Sequence, residues 1–244
     1  MHGDARIGTS GFAQPELAGE RASEQELLAQ YAQRLSTVEI ASSFQRPPTA
    51  EQCAAWAEVV PPGFQFSLKL PRKISNDLRL QRTPQRSVAS FFEAVGELGP
   101  HLGPLLVQLP PNFTLDLKSL QDFLRSLPRG PRLAFEFRHP SWNTPAALRL
   151  LSAYEAAVVL IDQGEGPPRI ELTADFAYVR IRRDDDRPAL WDEWAERLAG
   201  LTRRGVDVYA FIKHDRRGVA IDRARRLAAL LRNEQASVEQ SLLT

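Results

Sequence analysis

Charged and amide side chains end many of the short apolar runs in this chain, a pattern that indicates a polar site carried on buried strands. These residues are Glu39, Lys69, Gln108, Glu136 with Arg138, Asp162, Arg180 with Arg182, and Lys213. A charge within a packed core is costly unless it is paired or solvated, so its recurrence at strand ends indicates a shared site. Five cations face three carboxylates in this set. The positive excess predicts a small anionic ligand, such as a carboxylate or a phosphate ester.

The first interpretation of these residues is an enzyme that acts on such an anion. Lys69, Arg138 and Arg180 would hold the ligand, and Glu136 or Glu39 would transfer a proton as general acid or base. The two carboxylates could also act together in hydrolysis of a glycosidic or phosphoester bond. Further substrate contacts are expected from Gln108, Ser10 and Lys213.

The second interpretation is a protein without catalysis: a module that binds a metabolite or a partner, or a scaffold that has lost its activity. In it Glu39, Glu136, Lys69 and Arg180 form buried ion pairs that fix the positions of neighbouring strands without a ligand. The sequence does not decide between the two interpretations, because both require the same charged residues at the same strand ends.

Several nearby residues have structural interpretations of their own. Arg182–Arg183 precedes Asp184–Asp186, and we expect these charges to pair with one another at the surface. Gln108 is able to bind the backbone of a neighbouring strand end instead of a ligand. His139 and His214 lie in loops after strands, where a structural role is favoured slightly over a catalytic one.

Other kinds of chemistry are disfavoured. A magnesium site built from Glu39, Glu136 and Asp162 would be opposed by the surrounding cations, so neither a metal nor another cofactor is expected. Cys53 is expected to be a buried core thiol. The segment Gly8–Gly11 lacks the spacing of a nucleophile elbow, a dinucleotide-binding loop or a P-loop, although the hydroxyl of Ser10 could help to bind an anion.

The charge balance excludes a general affinity for polyanions. The net charge is +1, so neither nucleic acid nor an anionic membrane is expected as a partner. The arginine clusters 203–204, 216–217 and 223–226 are interspersed with acids and are expected to form solvated helix faces. No stretch approaches the roughly 20 apolar residues of a membrane span. Because Met1–Asp4 lacks the features of a secretory signal, a cytoplasmic location is expected. The sequence indicates no oligomeric state.

The elements that position the charged residues alternate regularly between strands and helices. Strands are predicted at Arg6–Gly8, Thr37–Ile40, Phe64–Leu68, Leu105–Gln108, Leu133–Phe137, Ala157–Ile161, Ala177–Ile181 and Asp207–Ile212. Helices are predicted at Ser23–Leu35, Thr49–Val59, Pro84–Leu98, Leu117–Leu127, Pro145–Tyr154, Leu190–Arg204 and Val219–Arg232. Ser23 with Glu26 and Thr49 with Gln52 have the spacing of capping boxes.

Eight strands in 244 residues predict a TIM-type (β/α)8 barrel of one domain. The helix after the sixth strand is expected to be missing or degenerate, because residues 164–168 are rich in glycine and proline and only an extended piece, Arg169–Leu172, follows. The domain spans residues 1–244, with a core at about 6–232 and a polar tail at 233–244. Active sites in such barrels lie at the C-terminal ends of the strands, so the charged residues should meet at one mouth.

Several motifs resemble those of the YecE-like family, also called domain of unknown function 72. They are Gly8–Phe12, Val38–Phe44, Phe64–Lys69, Gly103–Pro111, Phe135–Trp142 and Tyr178–Arg180. The resemblance spans nearly the whole chain and implies a TIM-type barrel with no assigned activity.

The chain also departs from the family pattern at positions expected to line the mouth. These positions are Ala41 in place of asparagine, Gln45 in place of tyrosine, Asn76 in place of histidine, Ile181–Arg183 in place of a histidine–glycine pair, and Lys213–His214 in place of two asparagines. Several of the changes introduce basic residues. They imply either a changed ligand or a lost activity.

Overall fold

The strands form a closed parallel barrel in chain order, from the first strand to the eighth. The computed structural model describes residues 2–12, 22–76, 80, 85–164, 168–184, 186–214 and 219–242. The strands are β1 Ala5–Thr9, β2 Thr37–Ile40, β3 Gln65–Lys69, β4 Leu102–Gln108, β5 Leu133–Glu136, β6 Ala157–Asp162, β7 Phe176–Ile181 and β8 Asp207–Ile212. The barrel closes where β1 pairs with β8, from Ala5 with Val208 to Thr9 with Ile212. The predicted (β/α)8 architecture is confirmed.

Helices follow most of the strands and cover the outside of the barrel. They are α1 Glu24–Ala32, α2 Ala50–Glu58, α3 Arg72–Ser75, α4 Gln85–Gly96, α5 Leu117–Ser126, α6 Pro145–Ala153, α7 Pro188–Arg203 and α8 Val219–Leu242. Both predicted capping boxes are present, at Ser23 and at Thr49. Within the described residues, no helix is long and apolar enough to cross a membrane.

Two helical elements differ from the prediction. The short helix α3 was not predicted, because four residues contain no helical periodicity to detect. Helix α8 continues to Leu242, although the sequence from Asn233 was expected to form a polar tail. No proline or glycine follows Arg232, so nothing in the local chemistry ends the helix there.

The interval between β6 and β7 contains no helix in residues 163–164 and 168–175, the part of it that the structure describes. This agrees with the prediction, although Arg169–Leu172 does not form a strand. Thr173 fixes the loop to the start of β6: its hydroxyl donates to the carbonyl of Ala156 at 2.7 Å and accepts from the amide of Val158 at 2.8 Å. The described part of this interval is therefore a loop that is fixed to the start of β6.

The strands β5 and β6 are paired over a shorter length than their neighbours. Their register ends where Phe135 pairs with Val158. On its other side, β6 pairs with β7 as far as Asp162, which lies opposite Ile181. Towards the C-terminal ends of the strands, β6 thus continues beside β7 after its pairing with β5 has ended.

Large side chains fill two layers of core. Inside the barrel, a cluster contains Leu106, Ala134, Ala157, Val159, Phe176, Tyr178, Tyr209 and Phe211. The second, larger cluster lies between the strands and the helices. Cys53 is buried in this outer core, and burial raises the pKa of its thiol to about 11. Trp56 stacks on Phe66 with ring centroids 6.0 Å apart, which fits the core role expected for both Cys53 and this tryptophan.

Candidate functional site

Arg180 of β7 binds two carboxylates that come from other strands across the barrel. Its Nη2 donates to Oε1 of Glu39 on β2 at 2.6 Å, and its Nη1 donates to Oε2 of Glu136 on β5. All three side chains are at most 3% exposed. Because each carboxylate faces a guanidinium nitrogen, the charges are paired within the barrel instead of being solvated.

The carboxylate of Glu39 also accepts a hydrogen bond from a side chain inside the barrel. Tyr178 donates its hydroxyl to Oε2 of Glu39 at 2.7 Å, and the hydroxyl of Ser67 lies 2.7 Å from that of Tyr178. Burial, and then the negative charge of Glu39, raise the pKa of Tyr178 well above its ordinary value. Tyr178 therefore stays protonated. Both carboxylate oxygens of Glu39 accept hydrogen bonds, one from Arg180 and one from Tyr178.

A second row of side chains joins Glu136 to Lys69 on β3. Lys69 donates from Nζ to Oε1 of Gln108 at 2.7 Å, and Gln108 donates from Nε2 to Oε1 of Glu136. The Lys69 ammonium also lies 3.6 Å from the ring centroid of Phe44. Burial, with the positive charge of Arg180 as the next cause, lowers the pKa of Lys69 to about 8. A buried amine whose hydrogen-bond partner is a neutral amide loses its proton more easily than one paired with a carboxylate.

Arg138 and Arg182 form the outer part of the cluster. Arg138 is 43% exposed and donates from Nε to Oε1 of Glu136 at 3.2 Å. Arg182 is half-buried, and its Nε is buried without a hydrogen-bond partner in the described structure. Burial, and then repulsion from Arg180, lower the pKa of Arg182. One guanidinium is thus satisfied by a carboxylate, while the other keeps a donor that has no acceptor.

Glu136 is the carboxylate on which these cations converge. Burial alone would raise its pKa, but the charge and hydrogen bond of Arg180, followed by the charges of Arg182 and Arg138, leave the pKa below its ordinary value. Glu136 is therefore ionised at neutral pH, which suits an acceptor of protons better than a donor.

Asp162 does not join this cluster, and its expected place at the mouth is corrected. Its Oδ2 accepts from Nε1 of Trp194 at 2.8 Å, and its Oδ1 accepts from Nε of Arg183. Successive strand residues face opposite sides, so Asp162 points to the helix layer while Ile161 faces the barrel interior. Arg183 is buried against Asp162 and does not lie at the surface as expected. Its pairing with Asp184–Asp186 stays a prediction, because residue 185 lies outside the described residues.

Lys213 and Ser10 contact neighbouring loops rather than the Arg180 cluster in the part of the chain described. Lys213 donates from Nζ to Oδ2 of Asp184 at 3.2 Å. The hydroxyl of Ser10 accepts from the backbone amide of His214 at 3.0 Å. Their roles as ligand contacts stay predictions, and neither is needed for the arrangement around Arg180.

The loop residues given structural interpretations have local partners. His139 accepts from the amide of Ser141 at 3.2 Å and so caps the short turn Pro140–Trp142. Trp142 donates from Nε1 to the carbonyl of Phe113 at 2.7 Å. Of the arginine clusters, residues 216–217 lie outside the described residues.

Three contributors to the site were missed from the sequence: Tyr178, Ser67 and Phe44. The signal for Tyr178 and Ser67 was available, because each lies two residues before a site residue on its strand and so faces the same side. Phe44 lies in a 3-10 turn after β2, and nothing in its local sequence points towards Lys69. Among the described residues, no group of three His, Cys, Asp or Glu side chains is placed to hold a metal ion.

Comparison with known families agrees with the barrel and its motifs. The family model described as protein of unknown function DUF72 matches residues 6–243. The chain belongs to the DUF72 family. None of the curated proteins compared with it matches.

Two solved structures of DUF72 proteins share the whole fold. The protein from Thermotoga maritima is 23% identical, with a TM-score of 0.81, and the match covers 94% of this chain and 99% of that one. The protein from Enterococcus faecalis is 19% identical, with a TM-score of 0.77, and the match covers 95% of this chain and 98% of that one. At these identities the likeness establishes the architecture and leaves the function to be argued from the site.

Proposed function

We propose that this DUF72 protein binds a small anionic molecule, a carboxylate or a phosphate ester, at the C-terminal mouth of its barrel. The observation that carries the proposal is the state of Arg182. Its Nε is buried without an acceptor, and it lies in the positive field of Arg180 and Arg138. A buried donor without a partner costs roughly 1–3 kcal/mol. An anion at this position would supply the missing acceptor and reduce the repulsion between cations.

The balance of charge in the cluster supports the same conclusion. Lys69, Arg138, Arg180 and Arg182 surround two carboxylates, those of Glu39 and Glu136, which leaves an excess of two positive charges when all are ionised. Guanidinium groups bind carboxylates and phosphates through parallel hydrogen bonds. Because Arg180 is already occupied by both carboxylates, the ligand contacts fall to Arg138, Arg182 and Lys69.

For catalysis at this site, Glu136 is the candidate base. It is ionised, it is held in position by Arg180 and Gln108, and it adjoins the exposed side chain of Arg138. Glu39 is less suited to proton transfer, since it is fully buried and both of its oxygens accept hydrogen bonds from within the barrel. The same saturation favours a second candidate function, in which the protein binds the anion without transforming it.

Thermal unfolding in the presence of phosphate, sugar phosphates and small carboxylates tests the proposal. A ligand at about 100 times its Kd adds roughly 2.7 kcal/mol, which corresponds to a rise in Tm of roughly 5–10 °C for a chain of this size. We expect one class of anion to produce such a shift in the natural protein and a much smaller one in Arg182→Gln.

Lys118→Gln serves as the matched control, because Lys118 is exposed on α5 and its replacement removes the same unit of charge. It should keep the full shift. The absence of a shift with every anion, or an equal shift in Arg182→Gln, would refute anion binding by this cluster.

A further inference from the structure

A groove of about 460 Å³ lies beside the mouth, where the described residues between β6 and β7 form no helix. It runs between the segment that follows β5 and the C-terminal half of β6. The pairing of these two strands ends at Phe135 and Val158, so β6 continues without β5 alongside it. The groove is thus an opening in the side of the barrel, produced by a short strand pair and by a loop in place of a helix.

The groove has an apolar floor and a polar rim. Buried and half-buried side chains form its floor: Phe137, Trp142, Leu148, Val158, Leu160 and Ile161. Phe137 and Trp142 stack in parallel with ring centroids 4.7 Å apart and so form a flat aromatic wall. Its exposed members are Arg138, Pro140, Asn143 and Arg169, of which all but the proline are polar. A volume of this size, and walls that combine apolar side chains with polar groups, are typical of small-molecule sites.

Two residues connect the groove to the anion site. Arg138 lines the groove and also donates to Glu136, so one guanidinium borders both spaces. Ile161, at the inner end of the floor, lies directly opposite Arg180 in the register of β6 and β7. A ligand whose anionic group contacts Arg138 can therefore extend along β6 without leaving the surface of the protein.

We infer that the natural ligand is an amphipathic anion, whose phosphate or carboxylate binds at Arg138 and Arg182 and whose alkyl or aryl part occupies the groove along β6. This inference rests on the proposed anion site and adds the chemical class of the remainder of the ligand. The continuity of the two spaces through Arg138 and the apolar floor are the observations that support it. A fully polar ligand, such as a sugar phosphate, would leave the floor without a matching surface.

A series of alkyl phosphates measures the contribution of the groove. Methyl, butyl and hexyl phosphate carry the same anionic group and differ only in apolar length, and acetate, butanoate and hexanoate form the parallel carboxylate series. Each buried methylene is expected to tighten binding about fourfold. Isothermal titration of the full chain should therefore give a Kd at least tenfold lower for the six-carbon ligand than for the shortest one.

Leu148→Trp tests where the apolar part binds. Leu148 lies on α6 at the edge of the floor and is half-buried, so a larger side chain fills the groove without entering the barrel. The variant should lose the dependence on chain length and keep the affinity for the shortest anion. Arg149→Trp adds the same ring at the next, exposed position of α6, outside the groove, and should keep the chain-length dependence. Leu148→Glu, which places a charge on the floor, is the second variant if Leu148→Trp unfolds.

Each outcome separates this inference from the proposed anion site. Equal Kd values along both series would overturn the amphipathic ligand and leave anion binding intact. A chain-length dependence that survives both Leu148→Trp and Leu148→Glu would overturn the groove as its location. No binding of any member of either series would overturn the anion site and, with it, the inference.

Discussion

Arg180 lies near the end of β7 and Arg182 directly follows this strand, yet the surroundings of the two guanidinium groups differ. Arg180 has a carboxylate on each side, whereas the Nε of Arg182 has no acceptor in the described structure. Removing one partner of a buried ion pair typically costs about 3–5 kcal/mol, because the other charge is left buried alone. In the proposed function, Arg180 therefore stabilises the barrel and Arg182 contacts the ligand.

At the same scale, we predict that Lys69 titrates near pH 8. The chain has four lysines, Lys69, Lys73, Lys118 and Lys213, so reductive ¹³C-methylation gives few NMR signals, and the other three serve as internal references. The Lys69 signal should titrate about two pH units below a normal lysine, since burial and Arg180 lower its pKa to about 8. Lys69→Arg identifies the signal. An anion bound at the mouth should raise this pKa, and a Lys69 signal that titrates above pH 10 would contradict the prediction.

The residues of the site were only partly predictable from the sequence. Strand ends placed Glu39, Lys69, Glu136 and Arg180 at one mouth, because the C-terminal ends of parallel strands meet at one end of a barrel. The pairing of each cation with a carboxylate depends on the lengths of the side chains and on the positions of their strands around the barrel. No local sequence pattern contains that information. Asp162 was misplaced because it was assigned to the mouth from its position at a strand end alone. Side chains alternate along a strand, so Asp162 faces the helices when Ile161 faces the barrel interior.

At the scale of elements, the strands were predicted to within three residues because alternation and apolar runs are local signals. The separation of β5 from β6 was not predicted, because it depends on the register between two strands and not on a local sequence pattern. The absence of a helix from residues 163–164 and 168–175 after β6 was predictable from glycine and proline. These two features together produce the groove. The sequence predicted the loop after β6 but not the separation of β5 from β6.

The close approach of β1 to β2 at Gly8 predicts how substitutions of glycine change the stability of the protein. A Cβ added to Gly8 would lie 2.0 Å from the carbonyl oxygen of Thr37, whereas one added to Gly96, at the end of α4, has open space around it. We expect Gly8→Ala to destabilise the protein by several kcal/mol, because backbone of one strand must move. Gly96→Ala should be neutral or stabilise it by up to roughly 1 kcal/mol. Urea unfolding of both variants is the measurement, and a Gly8→Ala protein as stable as the natural one would refute the close strand contact.

For the whole molecule, the charge network predicts how stability changes in acid. The pKa of Glu136 is lower in the folded protein than its ordinary value of 4.5, so its ionised form stabilises the fold. That contribution is present above about pH 4.5 and is lost as the pH falls through the folded pKa. The free energy of unfolding should therefore decrease more between pH 5 and pH 3 in the natural protein than in Glu136→Gln.

Glu58→Gln provides the comparison, because Glu58 is an exposed carboxylate on α2. It should follow the natural protein through the same pH range. An acid dependence of Glu136→Gln equal to that of the natural protein would show that Glu136 does not stabilise the fold through its charge.

The bonds of Arg180 also bear on the order in which the chain can fold. Glu39 and Glu136 precede Arg180 by 141 and 44 residues, so a nascent chain completes six strands before their common partner is synthesised. Closing those six strands early would bury Glu39 without the guanidinium that pairs with it in the complete barrel, which is unfavourable. Partial barrels should therefore remain open until β7 arrives. The ion pairs of Arg180 should thus tie closure of the barrel to the arrival of β7, when 180 of the 244 residues have been synthesised.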